Sequence, residues 1–433
     1  MVRLGIAVQL SLELGECWLR MMKRLWILIF ILAGPAMAQA APLPLGRGVS
    51  VHEWLNWSPL AADGSYRWPP YLTEEQWLSG ARPITDWPET DQFRRIRSMG
   101  FDFIRLSVDP GPIVASRGER REQALAILAS AVDRILSSGL KVVFDLHAVQ
   151  QVPAYSIQMV EGGADSDGVA RYRQMVKAVA AMLLKFGTER VALEPFNEPQ
   201  YYPCDDSGTD DWQRIMSGMV ADIRTISPDL TVIVTGACGG NIDGLTHLNP
   251  DFDDTNLYYS FHMYDPHSFT HQLSDNKTVF NSGMPWPADT AEPAEIITRL
   301  QSHMADAGLS KSQQAMNIVT MRQQIRTYFA ANWGVPQLRA RIGEAVDWAK
   351  EHHIPASRLF MGEFGTFQIS ADGRSGAYDP DRLRYLAAVR LEAEKHDIPW
   401  SIWEYSNPHG ISLILPKGPA VADPGMLKAL GLL

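Results

Sequence analysis

Residues 141–147 read KVVFDLH, and their surroundings decide the fold. Val142, Val143, Phe144 and Leu146 make a short, nearly unbroken apolar run with β-branched and aromatic members, the composition of a buried strand. Upstream, residues 123–137 carry Leu, Ile, Ala and Val at helical spacing and stop before Gly139. Downstream, residues 170–186 repeat that helical pattern. An apolar strand between two helices is expected in a parallel sheet covered by helices on its faces.

The same unit recurs outward from this stretch. Strands are expected at 47–55, 101–108, 191–197, 230–236, 256–264, 358–364 and 399–405, which with 141–147 makes eight. Further helices are expected at 211–226, 335–352 and 380–395. Eight alternating units predict an α/β fold, a (β/α)8 TIM barrel. Two segments break the rhythm. Residues 56–90, rich in Trp, Pro and Tyr, are expected to loop over the barrel mouth. Residues 266–333 are expected to form an extended loop and helical insertion after strand six, with 294–330 helical, inside one catalytic domain spanning 41–433.

The chain has 433 residues, 46% hydrophobic and 20% charged, which is ordinary for a globular protein and too apolar for a disordered one. A net charge of −10 argues against nucleic-acid binding, which needs a basic surface. Met21-Met22-Lys23-Arg24, an apolar run from Leu25 to Leu32 and Ala36-Met37-Ala38 resemble the three parts of a signal peptide. Removal of residues 1–40 and a periplasmic or extracellular location are therefore expected, with a retained membrane anchor as the alternative and translation starting at Met21 or Met22. Cys204 and Cys238 are left to pair or to remain buried thiols. A monomer is expected.

In such barrels function gathers at the C-terminal ends of the strands. Arg105 lies in strand two, His147 ends strand three, and Asn197-Glu198 ends strand four. His262 and Tyr264 end strand six, Glu363 ends strand seven and Trp403 ends strand eight. Singly, each is an ordinary strand end, ion pair or core residue. Jointly, six polar groups at one end of consecutive strands point to a site. Two glutamates suit glycoside cleavage, which needs one protonated carboxyl on the leaving oxygen and one ionised carboxylate at the anomeric carbon. On this reading Arg105 and Tyr264 hold Glu363 ionised, while burial and the Glu363 charge raise the pKa of Glu198. Asn197 is placed to donate to a sugar hydroxyl, and Trp403 to offer a flat apolar face.

These residues resemble glycoside hydrolase family 5, a retaining (β/α)8 family that includes many cellulases. The matching pieces are Phe101-Asp-Phe-Ile-Arg105-Leu, Asp145-Leu-His147, Glu194-Pro-Phe-Asn197-Glu198-Pro199, His262-Met-Tyr264, Gly362-Glu363-Phe-Gly365 and Trp403-Glu404. The resemblance implies a catalytic pair, Glu198 as acid/base and Glu363 as nucleophile. Arg105, His147, Asn197, His262, Tyr264 and Trp403 would support it. It also implies a polysaccharide or oligosaccharide substrate, and no cofactor or metal. An endo-β-1,4-glucanase is the leading expectation. A β-mannanase, an exo-acting relative, a non-catalytic binding protein and a metal-dependent hydrolase are the alternatives. Weaker sugar-binding candidates are His52, Glu53, Asn56 and Trp57, the loop residues Trp68, Trp77 and Trp87, and Trp286. Asp265, His267 and His271 form a polar cluster with the makings of a metal site.

Overall fold

The computed structural model describes residues 41–81, 91–199, 209–273, 280–415 and 420–432. The signal-peptide segment, Trp87 and Cys204 lie outside them. All eight expected strands form. They are β1 (Arg47–Leu55), β2 (Phe103–Val108), β3 (Lys141–Leu146), β4 (Val191–Glu194), β5 (Thr231–Thr235), β6 (Leu257–Met263), β7 (Leu359–Phe364) and β8 (Trp400–Ile402). Every neighbour is parallel, and β8 pairs with β1 to close the barrel. Residues 41–433 form one compact unit.

Side-chain alternation along the strands builds the barrel interior in layers. Phe103, Val143, Ala192, Ile233, Tyr258 and Phe360 each come from a different strand and form one apolar layer with Leu43. Leu43 plugs it from below: its N–H donates to Thr231 Oγ1 and its carbonyl accepts from the Tyr258 hydroxyl. Gly48 faces this layer, because a Cβ there would meet the Phe103 ring at 2.2 Å. Two residues further along, the period of a strand returns side chains to the same interior face. That step places Ser50, Arg105, Asp145, Glu194, Thr235 and Ser260 together, all fully buried. A polar layer therefore sits directly on the apolar one.

The expected helices form at Glu119–Leu136, Asp167–Leu183, Asp211–Arg224, Val335–Glu351 and Asp379–Lys395. Two expectations change. The segment after β1 is more than a loop over the mouth, for it contains a helix at Glu74–Ala81. Trp77 of that helix is buried against Trp54 and Phe93 in the main core. The helical run expected at 294–330 is a hairpin of two helices, Pro293–Asp306 and Lys311–Ala330. Gly308 takes a φ of +76° just past the first helix, and Leu309 N–H returns to Met304 O, as in a Schellman stop. Ser310 and Gln313 then start the second helix with a reciprocal capping box. The hairpin's inner face, including Ile296, Leu300, Ile318, Met321 and Ile325, joins the main core cluster. Asn281–Ser282 ties the insertion to the loop after β7 by pairing with Ser375–Gly376.

Candidate active site

Arg105 organises the mouth of the barrel. It is fully buried, and its guanidinium donates from Nε to Glu194, from Nη1 to Glu363 and from Nη2 to Asn197, at 2.7, 2.8 and 2.7 Å. Asp145 lies 3.2 Å from Nη2. One buried cation thus meets three carboxylates, and burial raises the pKa of both Asp145 and Glu194 despite it. Asp145 in turn accepts from Ser107 and contacts His147 Nδ1 at 2.8 Å.

His147 is kept neutral by burial and by the nearby Arg105 charge. Its Nδ1–H donates to Asp145, so Nε2 is left to accept from Asn197 Nδ2 at 3.2 Å. Asn197 is therefore held at both ends, its oxygen on Arg105 and its nitrogen on His147. One N–H of that amide remains to face a ligand.

Glu198 sits in the turn after β4, four residues past the strand end. His262 Nδ1 contacts its Oε1 at 2.5 Å. Glu363 lies within β7 and reaches the interior because the strand is bulged. Two steps along β7, Met361 to Glu363, face one step along β6, Phe261 to His262, and β8 shows the same offset. A bulge re-aims a side chain. It brings both Gly362 and Glu363 to the mouth, where a Cβ on Gly362 would lie 2.9 Å from Ser260 Oγ and 3.0 Å from His262 Nε2. Tyr264 donates its hydroxyl to Glu363 Oε2 at 2.9 Å. Glu198, Glu363 and His262 each present one atom such that all three lie within 4.8 Å of one another.

The electrostatics correct one expectation. Glu363 is not held in the ordinary carboxylate range by Arg105. Burial pushes it up to about 7, outweighing His262 and Arg105, and the Glu198 charge adds to the rise. Asp145, itself paired with Arg105, adds to the rise. Glu198 also rises to about 7 through desolvation. It remains the more open of the two, with 26% of its side chain exposed against 5% for Glu363. Two carboxyls this close, both shifted upward, favour a pair that carries one proton between them.

Trp403, half-buried, stacks on His147 with centroids 5.6 Å apart. His52 and Asn56 are buried behind it and hydrogen-bond to one another, so they support the platform rather than face a ligand. Glu404 was legible only as a neighbour of Trp403. It is fully buried, accepts from His52 N–H and Asn407, and burial lifts its pKa well above the usual range. Asp145 and Glu194 likewise stand beside site residues in the sequence with no role that composition alone assigns. Their two-residue spacing from Val143 and Ala192 was the signal that places them inside. Trp57 is exposed, with its indole N–H on Glu53. Trp68 is only partly buried and donates to Gln123.

Trp286 is a correction: it is 2% exposed and packs edge-on against Tyr385, so it fills the core and offers no face to sugar. Asp265 is engaged by Arg341 at 2.7 Å, while His267 and His271 stack on each other. Among the described residues, the Glu198, His262 and Glu363 group is the only one with metal-holding spacing. Cys238 is disulfide-bonded.

Similarity to known proteins identifies the family. The model of the cellulase family, glycosyl hydrolase family 5, matches residues 73–409. Endoglucanase 3 of Fibrobacter succinogenes is 25% identical over 308 residues, covering 70% of this chain and 42% of that protein. Endoglucanase C of Acetivibrio thermocellus is 23% identical over 318 residues, covering 72% of this chain and 81% of its own length. Among solved structures, a family 5 xyloglucanase from Paenibacillus pabuli superposes with a TM-score of 0.61 at 16% identity, covering 89% of this chain and 98% of that one. An endoglucanase from Thermotoga maritima superposes with a TM-score of 0.59 at 18% identity, covering 89% and 96%. The parallel eight-stranded barrel and a family match over most of its length place this chain in glycosyl hydrolase family 5, the cellulase family.

Proposed function

We propose that the protein is a retaining endo-β-1,4-glucanase with Glu363 as nucleophile and Glu198 as acid/base. The observation that carries this reading is the approach of the two carboxyls, whose nearest oxygens lie within 4.8 Å. Retaining glycosidases hold their carboxyl groups about 5–5.5 Å apart, whereas inverting enzymes leave room for a water between them. Glu363, ionised, attacks the anomeric carbon while Glu198 gives its proton to the leaving oxygen. Glu198 then takes a proton from water, whose oxygen attacks the anomeric carbon and displaces Glu363. Asn197, oriented by Arg105 and His147, donates to the 2-hydroxyl, a contact that tightens in the transition state. Trp403 supplies the apolar face under the sugar ring.

The glucan substrate is supported by the endoglucanase relatives. The test is a panel of carboxymethylcellulose, lichenan, xyloglucan, mannan and laminarin, with product sizes read by chromatography and the anomer of early products by proton NMR. Mixed-size products from a β-1,4-glucan and initial retention are expected. Preference for mannan, single-size products or an inverted anomer would overturn the respective part. Chelation is expected to leave turnover unchanged. We further infer export with loss of residues 1–40, a reading supported by the disulfide at Cys238. The mass of the mature N-terminus checks it.

A further inference from the structure

His262 holds the carboxyl of Glu198, and the turn directly after β5 holds the backbone and stem that carry it. In that turn Cys238, Gly239 and Gly240 take φ values of +58°, +66° and +67° in succession. Glycine adopts this left-handed region freely, but a residue with a Cβ does so at a cost and only where its surroundings hold it. Cys238 is held by its disulfide. The backbone on either side is wedged. A Cβ on Gly236 would lie 2.2 Å from Gly244 O, and one on Gly244 would lie 1.9 Å from Ala237 O. Trp212 pins the end of β5, its indole N–H donating to Thr235 O at 2.8 Å.

The turn reaches the Glu198 region at three points. Gly239 N–H donates to the carbonyl of Pro199, the residue after Glu198, at 2.9 Å. Gly240 lies flat against Glu198 itself, for a Cβ there would meet Glu198 Cγ and Asn197 O at 3.4 Å and Thr235 Cγ2 at 3.3 Å. Asn241 bridges in parallel register to His262 on β6. One short turn therefore sets both the carboxyl and the imidazole that hydrogen-bonds to it. A shift of the turn moves Glu198 away from the place where its proton must go. We infer that residues 238–241 are the positioning element of the acid/base, with Gly240 seating the Glu198 stem and the Cys238 disulfide keeping the turn in place. The inference rests on the proposed role of Glu198. Reduction gives it a chemical handle. A dithiol supplies two electrons and two protons to the Cys238 disulfide, leaves two protein thiols and is itself oxidised to a cyclic disulfide. Cys238 is half-buried and lines the hollow beside Glu198, which leaves the bond open to a small thiol. Once freed, Cys238 leaves the left-handed region and the turn relaxes.

The test compares cellotetraose, whose leaving sugar needs a proton, with 2,4-dinitrophenyl β-cellobioside, whose leaving group does not. The readout is kcat/KM, which covers the steps up to the glycosyl enzyme. Gly240→Ala, Cys238→Ala and wild type treated with dithiothreitol are expected to lose about tenfold to hundredfold on cellotetraose, the scale of a misplaced proton donor. They should stay within about twofold of wild type on the aryl substrate, where no proton is transferred to the leaving group. Cys238→Ala should no longer respond to dithiothreitol, and reoxidation should restore the treated wild type. A purely structural role would lower both substrates together, through the folded fraction. Glu198→Ala is the reference for a selective loss. If it shows that loss while the three perturbed forms, folded by circular dichroism, match wild type or lose equally on both substrates, the inference fails and the proposed function stands. If Glu198→Ala itself loses nothing on cellotetraose, the proposed role of Glu198 falls, and this inference with it. Cys238→Ala and the treated wild type keep the test decisive should Gly240→Ala not fold.

Discussion

His262 Nδ1 lies 2.5 Å from Oε1 of Glu198, tying the end of β6 to the turn after β4. The same nitrogen is 3.6 Å from Glu363 Oε2, so one imidazole touches both carboxyls of the pair. Burial lowers its pKa, and a neutral ring with the proton on Nδ1 donates to Glu198. His262 thus fixes Glu198 by a hydrogen bond and packs beside Glu363.

The two carboxyls should fail differently when removed. Glu363→Gln is expected to abolish turnover on every substrate with the fold retained by circular dichroism. Glu198→Ala should lower kcat on glucan by roughly 10²–10⁴-fold, the usual contribution of a positioned acid. It should slow the first step far less for an aryl cellobioside with a good leaving group. Added azide should then restore turnover. Equal losses on both substrates would contradict the assigned roles.

The activity should follow a narrow bell centred near pH 7. Glu363 must be charged, so activity falls as pH drops below its value of about 7. Glu198 must be protonated, so activity falls as pH rises past its own value of about 7. Tyr264→Phe removes a donor to the Glu363 carboxylate, which disfavours the charged form and moves the acid limb to higher pH. An unmoved acid limb would show that the hydroxyl has no hold on the pair.

The same shifts affect stability with a defined sign. A carboxyl whose folded pKa is raised binds more protons in the folded than in the unfolded state between its ordinary value of 4.5 and about 7. Stability therefore falls as pH rises through that window. Glu363→Gln removes the penalty, and its Tm advantage over wild type should grow from pH 5 to pH 7.5 by thermal unfolding.

Gly362→Ala should damage catalysis without unfolding the barrel. Its Cβ would press on His262 Nε2 at 3.0 Å and on Ser260 Oγ at 2.9 Å, and any relief moves the imidazole that holds Glu198. A lowered kcat with a near-normal Tm is expected.

Trp286→Ala should act in the opposite way. Removing a side chain this deeply buried is expected to cost about 3–5 kcal/mol of stability. Affinity for oligosaccharides in the folded fraction should be unchanged by calorimetry. A loss of affinity at full stability would return Trp286 to the site.

Much of the site was legible because a barrel places strand ends together whatever lies between them. The apolar runs around residues 142, 192, 233 and 360 are strands by composition, and parallel closure then gathers His147, Asn197, Glu198, Tyr264 and Glu363 at one mouth. The alternation Val143 to Asp145 and Ala192 to Glu194 also encoded the buried polar layer, although neither acid stands out without the facing Arg105. Three things were settled only by tertiary contact. The bulge in β7 that turns Glu363 inward depends on register against β6 and β8, which local sequence does not carry. The protonation of Glu363 depends on which carboxylates stand near it and how little water reaches them. The place of the hairpin on the core depends on where the helices between residues 293 and 330 pack. Strand and helix periods are local properties of the chain, while register, desolvation and packing belong to the whole fold.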